Sequence, residues 1–346
     1  MNSTIINAFE KLIAKTTDQL KESPSTTLKF KLVSYKKTLA TIKKLSFELT
    51  HTDQIKDIKG IGKTTIKKID EILDTGTLEQ IKDFDTGEVS TTKQLLDLQK
   101  ITGIGPVKAK KFLEQNITLE KLLKLDFSKL SDNDIPLLDA LTHHQQLGVK
   151  YFHDLEHKIP HSEIAEMEIY LKEILSKNIP GLQMMICGSY RRKKSESGDI
   201  DILLYHDNIK DEKTAKKSNY LTLFLKLLLS KKFITDHLTA IDNPTKYMGF
   251  CKFKDYHRRI DIRLIPKNSV GSAMLYFTGS GDFNKSMRTY ALKKGFTINE
   301  YGIYKLKPNG EKGLKIRTKT ESDIFKTLKL DYVEPEDRIP DYVFSP

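Results

Sequence analysis

The stretch Cys187-Gly188-Ser189-Tyr190-Arg191-Arg192-Lys193-Lys194-Ser195-Glu196-Ser197-Gly198-Asp199-Ile200-Asp201-Ile202-Leu203-Leu204 decides the fold. Its second half alternates acid and aliphatic. On a strand, residues two apart share a face, so Asp199 and Asp201 point one way and Ile200 and Ile202 the other. Its first half is a turn. Gly188-Ser189 offers free backbone N–H groups and a hydroxyl, and Arg191 to Lys194 crowd positive charge beside them. Two carboxylates forced together repel, and one is driven to keep its proton unless cations lie between them.

A third carboxylate lies on a later strand-like run, Arg258-Arg259-Ile260-Asp261-Ile262-Arg263-Leu264-Ile265. Three carboxylates on neighbouring strands suit Mg²⁺, which prefers oxygen ligands and keeps positions open for phosphate oxygens. Two such ions about 3.5–4 Å apart clamp an in-line displacement at phosphorus. Asp261 and Arg263 share a face, which predicts an Arg263–Asp201 ion pair when no metal is bound.

Around these runs, Met184 to Cys187 and Tyr247 to Phe253 also read as strands, and Leu221 to Leu229 reads as a buried helix. The first ~125 residues carry helical spacing instead, as in Ile6-Phe9-Leu12-Ile13 and Leu32-Tyr35-Leu39-Ile42. The fold expected is multidomain α+β: helical domains, then a mixed-sheet domain, then a small α+β domain. The polar stretch Thr86 to Lys93 reads as a linker.

The helical part contains two similar segments, Ile58-Lys59-Gly60-Ile61-Gly62-Lys63 and Ile101-Thr102-Gly103-Ile104-Gly105-Pro106, each followed by a basic helix. A Gly-X-Gly turn between helices exposes N–H groups and lets a phosphate approach the next helix's N-terminus. This is the logic of a helix-hairpin-helix, which grips nucleic-acid backbone without reading sequence. Gly62-Lys63-Thr64 imitates the end of a P-loop, but Asp57 stands where that motif needs glycine. Residues 28 to 68 hold eleven Lys against Glu48, Asp53 and Asp57, a local +8 within a chain of 346 residues and net charge +12. Binding to phosphates should therefore be salt-sensitive. Two cysteines are too few for a disulfide scaffold or a cysteine zinc site. No run approaches the ~18–20 apolar residues of a membrane span, and the N-terminus lacks a secretory pattern.

With the GS turn, the DxD strand and the third aspartate in place, the sequence resembles the family X DNA polymerases, of the beta type. His143-His144-Gln145, Lys150-Tyr151-Phe152, Tyr276-Phe277-Thr278-Gly279-Ser280 and Gly295-Phe296-Thr297-Ile298-Asn299-Glu300-Tyr301 carry the likeness further, from about residue 28 to the C-terminus. The resemblance implies a lyase domain at 1–86, a thumb at 87–150, a nucleotidyltransferase palm at 151–265 and fingers at 266–346. It implies template-directed filling of short DNA gaps from dNTPs with two Mg²⁺, for which Mn²⁺ can substitute, and a monovalent cation at the hairpin turns. Gapped or nicked duplex DNA and a ligase would be partners in base excision repair. The setting implied is an intracellular one that contains DNA, the nucleus or a viral replication site, for a monomer with no long N-terminal partner module. Template-independent or RNA-related transfer, or a non-catalytic DNA-binding scaffold, are the alternatives.

The same resemblance distributes roles. Asp199 and Asp201 would bind both metals, and Asp261 the catalytic one, accepting the primer 3′-OH proton. Ser189, Arg192, Ser197, Gly198 and Lys158 would hold the triphosphate, Tyr276 and Phe277 would line the sugar, and Gly279 would also bind the nucleotide. Asn284 would touch the minor-groove edge, Lys285 the templating base, Arg288 the template strand and Arg259 the primer phosphate, with Tyr301 also on DNA. Lys68 would be the Schiff-base nucleophile on a 5′-deoxyribose phosphate, supported by Lys31, Tyr35, Lys63 and Lys67. Gly60, Gly62, Gly103 and Gly105 would meet backbone phosphates. Three positions depart from the family pattern: Gly281 for Asp, Thr64 for a phosphate-binding Lys, and Lys158 for Arg.

Overall fold

The computed structural model describes residues 2–22, 25–45, 47–58, 61–84, 88–340 and 342–344. The chain divides into two compact units, Met1–Ala140 and Leu141–Pro346. The second unit therefore starts ten residues before the palm boundary expected from the sequence. The expected 86/87 boundary lies outside the described residues, as does Gly60.

The first unit is helical: α1 (Ser3–Glu22), α2 (Thr26–Lys43), α3 (Lys63–Thr75), α4 (Glu88–Leu98), α5 (Pro106–Glu114), α6 (Leu119–Leu123) and α7 (Ile135–Asp139). The expected linker is a helix from Glu88 onward. Ile5, Phe9 and Leu12 of α1 meet Ile42 of α2 and Ile69 and Ile72 of α3 in one buried cluster, closed by Ile55, Ile61, Leu78 and Ile81. Full burial of such a side chain contributes about 1.5–3 kcal/mol. Gly62 and Gly105 are the N-caps of α3 and α5. The turns before them match: Ile61 N donates to Ile58 O and Ile104 N to Ile101 O, both at 3.0 Å.

The second unit holds α8 (His143–Lys150), α9 (Phe152–Glu156), α10 (His161–Asn178), α11 (Gly188–Arg191), α12 (Glu212–Lys217), α13 (Tyr220–Ser230), α14 (Val270–Thr278), α15 (Gly281–Lys293) and α16 (Glu321–Thr327). Its strands are β1 (Ile159–Pro160), β2 (Gln183–Ile186), β3 (Glu196–Ser197), β4 (Ile200–Tyr205), β5 (Ile234–His237), β6 (Lys246–Lys252), β7 (His257–Leu264), β8 (Phe296–Asn299), β9 (Gly302–Leu306) and β10 (Lys312–Ile316). The main sheet runs β2-β4-β7-β6-β5, a smaller one runs β10-β9-β8, and β1 pairs with β3. Only β4 and β7 pair in parallel within the main sheet. One face of that sheet carries Ile200, Ile202, Leu204, Ile260, Ile262 and Leu264 into a core with α10 and α13. The aspartates occupy the other face. No helix among the described residues is long and apolar enough to cross a membrane.

Candidate active site

Parallel pairing sets Asp201 directly opposite Asp261, with Ile200 opposite Ile260 and Ile202 opposite Ile262. Since side-chain direction alternates along a strand, matched register puts both carboxylates on one face. Asp199 lies two residues before Asp201, and its charge acts on both of the others. Asp201 is pushed up to about 7, first by burial and then by Asp199 and Asp261. Burial also raises Asp261, against the opposing pull of Arg259.

The Gly188-Ser189 turn sits on the end of β4. Cys187 N donates to Asp201 O at 2.8 Å. Gly188 has φ +59°, and a Cβ there would lie 2.6 Å from Asp201 Oδ2. Glycine is required on both counts, conformation and approach. Ser189 Oγ donates to Ser197 Oγ at 2.8 Å. The two-residue pairing of β1 with β3, Ile159 opposite Ser197, delivers Lys158 to the same place. Its Nζ is 3.7 Å from where a Gly198 Cβ would stand. Arg258 underpins this corner. It makes a bidentate pair with Glu163 at 3.0 and 2.9 Å and donates to His157 O at 2.6 Å.

Arg192 donates from Nη1 to Thr278 O, and its buried Nε has no partner. Burial lowers its pKa, opposed by the charge of Asp201. Gly279, at φ +67°, leaves room for that guanidinium, with Nη1 3.3 Å from the position of a Cβ. The neighbouring Arg191 is not available to a phosphate. It is held by Thr278 Oγ1 at 2.6 Å and by both oxygens of Glu321 at 3.0 and 2.5 Å. Glu321 also accepts from Arg338 Nη1 at 2.7 Å. Burial alone would raise the Glu321 carboxyl, but the two guanidinium groups hold it below its usual range. Lys193 pairs with Glu336 at 2.7 Å. Half of the basic run thus faces the C-terminal segment, and nothing in sequence spacing marks Glu321 or Arg338 for that part.

The predicted Arg263–Asp201 ion pair is not among those of the described residues. Arg259 makes the contact instead, from Nη2 to Asp261 Oδ1 at 2.7 Å, while its Nη1 donates to Gly249 O at 2.8 Å. Arg263 lies over the Phe277 ring, 5.6 Å from its centroid. Arg263 stands opposite Leu203, one pleat beyond Asp201, with its guanidinium over Phe277, whereas Arg259, on the same face as Asp261, turns back to it. His144 is a further neighbour that the sequence did not single out: its Nε2 is buried without a partner, and burial followed by the charge of Arg259 lowers its pKa.

Tyr276 and Phe277 stand edge to face, centroids 5.1 Å apart, at the end of α14. Asn284 Nδ2 donates to Tyr276 O at 2.7 Å. Lys285 pairs with Asp282 at 2.9 Å, and Arg288 Nε donates to Asn284 O at 3.3 Å. Tyr301 is half-buried, and its carbonyl accepts from Ser269 Oγ at 2.9 Å. Gly281 has open space where a Cβ would be, so nothing steric excludes the family's aspartate there.

As the side chains stand, no three His, Cys, Asp or Glu among the described residues form a group ready to hold a metal ion. The donor chemistry nonetheless fits divalent cations. Three carboxylates are gathered with two of them raised, and Asp261 is turned toward Arg259. Oxygen-only donors suit a hard ion, and such an ion would remove the repulsion that raises them.

Within the first unit, Lys68 is buried on α3 at 8% exposure. Burial lowers its pKa, Glu71 opposes and Lys31 adds to the lowering. Its Nζ lies 6.0 Å from the Tyr35 ring centroid. Gly62, Lys63, Thr64 and Lys67 are exposed at the start of α3, as are Gly103 and Gly105 before α5.

Models of known families match four parts of the chain: a helix-hairpin-helix domain at 1–78, the fingers domain of DNA polymerase lambda at 97–156, the DNA polymerase beta palm at 158–267 and the DNA polymerase beta thumb at 273–339. The helix-hairpin-helix match begins at residue 1, upstream of residue 28, where the likeness was expected to start. These models name 97–156 fingers and 273–339 thumb, where the sequence reading has a thumb at 87–150 and fingers at 266–346. The chain is 31% identical over 322 residues to DNA polymerase lambda of Arabidopsis thaliana, covering 88% of this chain and 57% of that protein. It is 30% identical over 323 residues to DNA polymerase lambda of Rattus norvegicus, covering 90% and 52%. It is 25% identical over 341 residues to DNA nucleotidylexotransferase of Xenopus laevis, covering 90% and 64%. The chain spans about half to two thirds of the length of these relatives.

Proposed function

Since the chain belongs to the family X DNA polymerases, we propose that it fills short gaps in duplex DNA by template-directed nucleotidyl transfer and removes a 5′-deoxyribose phosphate through Lys68, as base excision repair requires. The observation that carries the reading is the matched register of Asp201 and Asp261 on adjacent parallel strands, with Asp199 beside them.

Asp199, Asp201 and Asp261 would hold two divalent cations, Mg²⁺ by the hardness of the donors. Such ions supply Lewis-acid stabilisation of the charge that develops on the reacting oxygens. The protein's own groups do the rest. Arg192 is half-buried, and its guanidinium, with Nε unpaired, is suited to a phosphate oxygen. The Ser189 and Ser197 hydroxyls meet, and Lys158 reaches Gly198 beside Ser197, so these would hold further phosphate oxygens. Asp261, its pKa raised by burial, would take the proton of a primer 3′-OH. Arg259 would move from Asp261 to a primer phosphate as DNA enters. Phe277 and Tyr276 would crowd the sugar, and Asn284, Lys285, Arg288 and Tyr301 would meet base pair and template. In the first unit, burial favours the neutral amine of Lys68, the form that attacks an aldehyde.

The test is one substrate, a one-nucleotide gap bearing a 5′-deoxyribose phosphate. Asp261→Ala should lower dNTP incorporation at least 10³-fold while DNA binding persists; wild-type incorporation in that variant would end the metal-site reading. Lys68→Ala should remove the borohydride-trapped DNA adduct, and undiminished trapping would reassign the nucleophile.

Likeness to a nucleotidylexotransferase favours one second reading, template-independent addition. Incorporation on a bare single strand at the rate seen on gapped DNA would select it.

A further inference from the structure

Lys68 is unusual among the lysines of the first unit in where its amine is held. Thr65, Lys68, Ile69 and Ile72 form the buried face of α3. At that depth the described hydrogen bond of Nζ goes to the side-chain carbonyl of Gln80, Nζ to Oε1 at 2.5 Å. Gln80 belongs to a short 3-10 segment, Glu79–Phe84, whose Ile81, with Leu78 just before the segment, is buried in the same core. Its backbone carbonyl accepts from Lys15 Nζ of α1 at 2.7 Å. The segment is tied to α3 as well, since Glu79 N donates to Glu71 Oε1 at 2.5 Å. Gln80 is therefore anchored through its main chain while its amide lies over the Lys68 amine at the surface.

We infer that Gln80 is a positioning residue of the lyase centre: its carbonyl fixes the orientation of the Lys68 amine, and as an uncharged acceptor it does so without holding the proton there. This rests on the lyase reading of Lys68 given above. A neutral amine has two N–H bonds and one lone pair. With one N–H directed at Oε1, the lone pair points away from Gln80. In the first step that pair attacks C1′ of the ring-opened sugar aldehyde. The aldehyde oxygen leaves as water, carrying one proton from the amine and one from solvent, and the iminium nitrogen keeps one N–H for Gln80. A proton then leaves C2′ to solvent, the C3′–O bond breaks with its electron pair going to the departing phosphate, and water later returns the free amine.

The charged and titratable neighbours are Lys15 on α1, Lys31 and Tyr35 on α2, Lys67 and Glu71 on α3 and Glu79 on the 3-10 segment. Glu71 is the acid acting on Lys68, and its carboxylate is already engaged by Glu79 N. A carboxylate in the place of the Gln80 amide would act at hydrogen-bond range and stabilise the ammonium.

The experiment compares the full chain with Gln80→Glu and Gln80→Leu, whose folding is checked by thermal melting. Acylation of Lys68 by acetic anhydride as a function of pH, read by peptide mass spectrometry, reports the amine without any lyase turnover. Gln80→Glu should move its midpoint up by at least one pH unit, and Gln80→Leu should not raise it. Borohydride trapping on 5′-deoxyribose-phosphate DNA should shift to higher pH in Gln80→Glu, with a roughly tenfold loss at pH 7, and fall in Gln80→Leu at every pH. An unmoved acylation midpoint in Gln80→Glu, or wild-type trapping in both variants, would overturn the inference. No trapping in the wild-type chain, with the acylation shift intact, would overturn the lyase reading instead.

Discussion

At the scale of single residues, Gly188 and Asp201 are one device. The missing side chain of the first admits the carboxylate of the second to 2.6 Å from the point where a Cβ would stand. Burial, with Asp199 and Asp261 beside it, pushes Asp201 up to about 7. An unfolded Asp titrates near 3.9. A raised folded value adds stability that is full below the unfolded pKa and is lost as pH rises through the folded one. Metal-free protein should therefore be penalised by Asp201 across pH 4 to 8. Asp201→Asn is expected to raise Tm by a few degrees at pH 8 in chelator, with the gain shrinking toward pH 4. Scanning fluorimetry across that range checks it; a Tm no higher than wild type at pH 8 would mean the charge is already compensated.

At the scale of elements, legibility followed the periodicity. Alternating Ile and Asp placed β4 and β7 to within two residues, and the apolar run placed α13. Those patterns come from burial of one face, which sequence records directly. The stretch from Thr86 was misread because polar residues without apolar spacing resemble a linker, although from Glu88 they continue as α4. The two-residue strands β1 and β3 had no signature, being too short to show a period. Their pairing is held from beneath by the Arg258–Glu163 bridge. Both partners are buried, so removing one strands the other's charge. Glu163→Ala should cost about 3–5 kcal/mol, read as a drop in urea midpoint, and replacing both with Met and Leu should restore most of it. A loss under about 1 kcal/mol in the single variant would show that water reaches Arg258.

At the scale of the whole molecule, what remained hidden was long-range. The motif named its carboxylates and its serine, because chemistry constrains residue type and spacing locally. It could not name Glu321, 130 positions from Arg191, or Arg338, since charge partners across folded segments leave no local trace. The sequence expected Arg263 to pair with Asp201, whereas Arg259 pairs with Asp261; Arg259 and Arg263 both share a face with Asp261, and only the side-chain directions in the folded sheet, Arg259 back to the acid and Arg263 over Phe277, separate them.

The parallel junction of β4 and β7 has one more consequence. Strands that run side by side in the same direction cannot be joined by a hairpin, so here α12, α13, β5 and β6 all come between them in the chain. No fragment ending before residue 261 can own a finished centre, and no local fraying can leave half of one working. On the proposed reading, activity should appear only once β7 has joined β4 in the sheet.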